Sequence, residues 1–103
     1  MSRAPEQCRD MAELRAEIDL LDRELVAMLA QRQRYIERAA EIKQDRNFIR
    51  DAARIEDVVA KVLLAARKVG LDSKIAEPVW RLLIERCIAH EFDRFDELKS
   101  VSA

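Results

Sequence analysis

Leu14, Ile18, Leu21, Leu25 and Met28 recur at alternating spacings of four and three, the signature of one face of an α-helix. The same row continues through Arg32, Tyr35 and Ala39 to Lys43. Successive residues turn by about 100°, which brings Lys43 to within roughly 20° of Arg32. Two cations therefore stand where the pattern calls for apolar side chains. Burying an unpaired charge costs several kcal/mol, so the row points to an anion held between them. Neither Gly nor Pro interrupts the pattern from Asp10 to Lys43, which predicts one helix of roughly 34 residues and about 50 Å. A compact chain of this size has a radius of gyration near 13 Å, so the stripe of so long a helix calls for a second chain to cover it. Antiparallel long helices in a two-fold dimer are the simplest closure.

Residues 44–50 (QDRNFIR) lose the periodicity and read as a loop. Asp51 then caps a second helix with an apolar face of Ile55, Val58 or Val59, Val62, Ala66 and Val69. Gly70 stops it. Asp72 or Ser73 caps a third helix reaching about Leu98, with Trp80, Ile84, Cys87, Glu91 and Phe95 along one row. Pro78, near its first turns, is placed to split off a short opening turn. Glu91 repeats the anomaly of the first helix with opposite sign, and a cavity lined by Arg32, Lys43 and Glu91 becomes conceivable. Residues 1–9 read as a disordered or frayed leader, 10–98 as one helical domain, and 99–103 as a frayed tail.

Composition narrows the class. One Gly and two Pro among 103 residues, half of them apolar, leave few sites for tight β-turns and favour an all-α domain. Nineteen basic against twenty acidic residues give a net charge of −1. That balance argues against a general nucleic-acid or anionic-membrane surface, so any anion site is a local concentration of charge. The start of the chain has no apolar segment of the secretory kind and no run has the length of a membrane span, which predicts a soluble, cytoplasmic protein. Cys8 and Cys87 have no metal-ligand or redox spacing and are expected as reduced thiols.

Each polar candidate has a plainer reading. Arg32 can snorkel from the stripe edge into solvent. Lys43 can serve the negative end of the helix dipole. Glu91 can pair with a nearby Arg. His90, at helical spacing from Cys87, suggests a thiol and base, but Cys87 reads better as a small core residue. Trp80, Phe92 and Phe95 read as core and dimer packing, and Arg23, Arg34, Arg38 and Lys61 as a solvated face.

The stretch LRAEIDLLDRELVAMLAQR, continued by AAEIK, IRDAAR and GLD before the last helix, resembles the all-helical (type II) chorismate mutases over residues 11 to 95. The resemblance implies three helices per chain, one very long, in an intertwined six-helix homodimer. It implies an isomerase of the shikimate pathway, serving aromatic amino acid biosynthesis, that converts chorismate to prephenate without metal or other cofactor. The family's substrate-binding residues fall on Arg15, Arg32, Lys43, Asp51, Arg54, Ile55, Cys87 and Glu91, with Lys43, Glu91 and Arg32 as the catalytic group. In the family the arginine matching Arg15 comes from the second subunit. Geometry agrees: Arg15 and Arg32 lie about 25 Å apart along one helix, too far to grip one small ligand from the same chain.

Two positions depart from the family pattern. Ile55 stands where many of these mutases carry a glutamate that contacts the substrate hydroxyl. Glu91 stands where most bacterial relatives have glutamine. The related isochorismate-pyruvate lyases of salicylate pathways also have an aliphatic residue at the Ile55 position, which makes that activity the alternative. A non-catalytic helical dimer module that keeps only the fold is the third reading.

Overall fold

The computed structural model describes residues 2–102, with side chains for 2–100. Three α-helices dominate: α1 (Met11–Ile42), α2 (Ala52–Val69) and α3 (Ser73–Ser102). Among the described residues there is no β-strand. The chain divides into two compact units, residues 1–34 and 35–103, so α1 contributes to both.

In the first unit, Asp10 caps α1 by accepting a 2.9 Å bond from the Glu13 N–H, while Glu13 accepts 2.9 Å bonds from the Arg9 N–H and guanidinium. The Asp10 bond satisfies one of the donors that every helix start leaves over, and the Arg9 bonds fasten the chain just before it. The leader is more ordered than its composition suggests. Pro5–Gln7 form a 3-10 helix, the Gln7 side chain accepts from the Ala4 N–H at 2.8 Å, and Arg3 reaches Glu17 at 3.5 Å. Along α1 the apolar stripe lies open: Ile18 is 46% exposed, Leu25 54% and Met28 64%.

The second unit holds the core, in which Ala40, Ile49, Val59, Ile84, Ile88 and Phe95 are buried and Ile55, Leu63, Trp80 and Phe92 pack against them. α1 enters it through Ala40, one position along from the stripe's own Ala39, so the buried edge of α1 is offset from the row that its sequence emphasises. Tyr35 of that row is exposed.

Asp51 caps α2 by accepting from the Arg54 N–H at 3.0 Å. Gly70 closes it in the left-handed region at φ 78°, and the Leu71 N–H then bonds back to the Ala66 carbonyl at 2.9 Å. Glycine fits this position because an added Cβ disfavours that backbone region. Asp72 starts α3, accepting from the Lys74 N–H at 2.8 Å. α2 and α3 then pack on one another as a helical hairpin.

Four features differ from the sequence reading. Pro78 splits nothing off and lies inside α3, where it removes one backbone bond from an otherwise continuous ladder. α3 also carries on past Leu98 to Ser102. The 44–50 loop contains a 3-10 helix, Arg46–Phe48, capped by Asp45. Val69, placed on the apolar face of α2 by spacing, is exposed where that helix ends.

Candidate functional site

Lys43 lies just beyond the last turn of α1, where its N–H still bonds to the Ala39 carbonyl at 3.0 Å. Its Nζ donates to Glu91 Oε2 at 2.7 Å. Glu91 sits on the inward row of α3 and is only 4% exposed. Two of the residues that break apolar rows, Lys43 at the end of α1 and Glu91 on α3, thus meet, and the anion facing Lys43 belongs to the protein itself. A buried pair of this kind gives little net stability against an apolar one, since desolvation offsets most of the attraction. It does hold a primary ammonium and a carboxyl group in fixed apposition on an apolar wall.

Around this pair the other candidates separate. Cys87 precedes Glu91 by one turn on the same row and is half-buried, outside any disulfide among the described residues. Ile55, on the first turn of α2, packs against the core. Asp51 is engaged as the cap of α2, and Arg54 turns to Asp57 at 2.7 Å. Asp57 also accepts from Lys61, and these two cations hold its carboxyl below the ordinary range, the Lys61 hydrogen bond contributing most. Arg15 and Arg32 lie on α1 in the first unit, the former exposed and the latter half-buried.

A second polar contact ties α1 to α3 beside the first. His90, immediately before Glu91, places Nε2 at 2.6 Å from Glu37 Oε2. Spacing suggests His90 only as a partner for Cys87. Glu37 carries no sequence signal, because its contact depends on the register between two helices.

A cavity of about 210 Å³ opens beside Lys43, lined also by Ala40, Glu41, Phe95, Leu98 and Lys99. It is smaller than the usual range for small-molecule sites. Among the described residues, no three His, Cys, Asp or Glu side chains converge where they could share a metal ion. No described helix is long and apolar enough to cross a membrane.

Comparison with known proteins gives two findings. Residues 14–92 match the family described as chorismate mutase type II. Over 89 residues the chain is 27% identical to an isochorismate pyruvate lyase of Pseudomonas aeruginosa, a match covering 86% of this chain and 88% of that protein.

Proposed function

We propose, for a chain that belongs to the chorismate mutase type II family, that it rearranges chorismate to prephenate. The observation that carries this reading is the 2.7 Å apposition of Lys43 and buried Glu91. The rearrangement is intramolecular: the ether C–O bond breaks as a C–C bond forms, with no nucleophile and no net proton transfer. An enzyme for it must fold the substrate side chain over the ring and stabilise negative charge growing on the ether oxygen. In this proposal Lys43 directs its compact charge at that oxygen and a neighbouring carboxylate. Arg32 grips one substrate carboxylate and Arg15 of a second chain the other, each by paired hydrogen bonds. Asp51 and Arg54 shape the mouth, Cys87 fills the wall, and Glu91 faces the ether oxygen.

The dimer is part of the proposal. Its support is the open stripe on α1, where neighbouring leucines and a methionine are more than half exposed. Contiguous apolar surface of this kind marks an interface. The small cavity at Lys43 also suits a site that a second chain completes. A cytoplasmic home for the protein belongs to the same proposal.

One further reading has its own support. Ile55 packs against the core and has no polar atom for a substrate hydroxyl, and the chain is similar to an isochorismate pyruvate lyase. Incubating pure protein with chorismate and, separately, isochorismate, then identifying products by NMR, decides between the two. Prephenate is the expected product. Salicylate and pyruvate from isochorismate alone would replace the mutase by the lyase, and no product from either would leave a helical module without this chemistry.

A further inference from the structure

The segment between Lys43 and Asp51 joins two parts of the proposed site, and it is not loose. Three of its amides are hydrogen-bonded: Asn47 to the Asp45 carboxylate at 2.9 Å, Phe48 to the Asp45 carbonyl at 3.0 Å, and Ile49 to the Arg46 carbonyl at 3.2 Å. Ile49 is buried in the core. On either side of it an arginine reaches α3. Arg46 donates to both oxygens of Asp96, at 3.0 and 3.3 Å, with its guanidinium 4.4 Å from the centre of the Phe92 ring. Arg50 donates to both oxygens of Glu85, at 3.1 and 2.6 Å. Asp96 and Glu85 lie about 16 Å apart along α3, so the segment runs against the helix direction and is fastened near both ends.

Paired guanidinium–carboxylate bonds fix orientation as well as distance, unlike a lysine contact. A single exposed pair contributes little. Two such forks with a buried isoleucine between them restrict the segment much more, because each contact acts on backbone that the others already hold. The consequence reaches the site through chain geometry: one end of the segment is Lys43 and the other is the Asp51–Arg54 cap.

We infer that residues 44–50 form a preset strap on α3, and that Arg46, Arg50, Glu85 and Asp96 are positioning residues that fix the separation of Lys43 and the α2 cap before substrate arrives. The catalytic half of this inference rests on the mutase reading; the strap itself does not. Ligand entering such a site has little loop ordering left to supply, which favours binding.

A charge exchange tests both halves. Arg50→Glu and Glu85→Arg should each make the Asn47, Phe48 and Ile49 amides exchange with solvent about three- to tenfold faster than in the parent protein. The double variant should return exchange to within about twofold. With chorismate, the single variants should raise KM more than they lower kcat, and the double should recover both. High salt should speed exchange at these amides in the parent while leaving amides in the middle of α3 unchanged.

Unchanged exchange in both single variants would overturn the strap, whatever the protein catalyses. Faster exchange with unmoved KM would overturn the positioning role alone. A parent protein that turns over neither substrate would remove the mutase reading, with the positioning role attached to it, and the exchange data would then decide the strap by themselves.

Discussion

While ionised, Glu91 can only accept hydrogen bonds, and Lys43 already supplies one. Facing an ether oxygen that gains negative charge, such a carboxylate opposes the transition state, whereas an amide in its place donates to it at any pH. Glu91→Gln should therefore turn over chorismate about tenfold faster than the parent. Steady-state rates check this, and identical rates for both proteins would move Glu91 away from the ether oxygen. Lys43 and Glu91 are legible in the sequence because each interrupts an apolar row. Their contact with one another is not, since periodicity gives the face of a helix but not the register between helices. For the same reason Glu37 and the two arginine forks escape detection by spacing.

At the scale of elements, start and stop residues carry most of the legible information. Asp51, by its carboxylate, and Gly70, by its freedom to take a positive φ, bound α2 as predicted, and Asp72 starts α3. Pro78 misleads because the cost of an interior proline, about 3 kcal/mol, is offset by the core packing of the rest of α3 through Ile84, Ile88 and Phe95. Links between elements are largely arginine–carboxylate pairs, and these set a pH response. The carboxyl of Glu85 is held below the ordinary range by its hydrogen bond from Arg50, and that of Glu56 by its hydrogen bond from Arg81. A value lowered in the folded state gives stability that is fully present above the unfolded value, near pH 4 for glutamate. It is lost as pH falls through the folded-state values. Thermal unfolding followed by circular dichroism should thus show a midpoint that is level from about pH 7 to about pH 5 and falls toward about pH 3. The fall should be shallower in high salt, because these pairs are exposed and already screened. A midpoint that rises over the acid range would contradict the assignment of these pairs as stabilising links.

For the whole molecule, the long first helix is the feature that sequence predicts best and one chain explains least. Its stripe from Ile18 to Met28 is continuous, apolar and open, and its length derives from an uninterrupted pattern. Which surface covers that stripe is not written in the periodicity, because a self-complementary face and a face for another protein look alike in sequence. In the proposed dimer a second copy covers it, and Arg15 of one chain enters the site of the other. Complementation tests that arrangement most directly. Arg15→Ala and Arg32→Ala proteins should each be nearly inactive. When the two are unfolded and refolded together, half the dimers should be mixed, and in each of those one site should receive two intact arginines while the other receives both defects. Chorismate turnover should recover to about a quarter of the parent value. No recovery, with mixed dimers demonstrated by mass spectrometry, would contradict a site built from Arg15 of one chain and Arg32 of its partner.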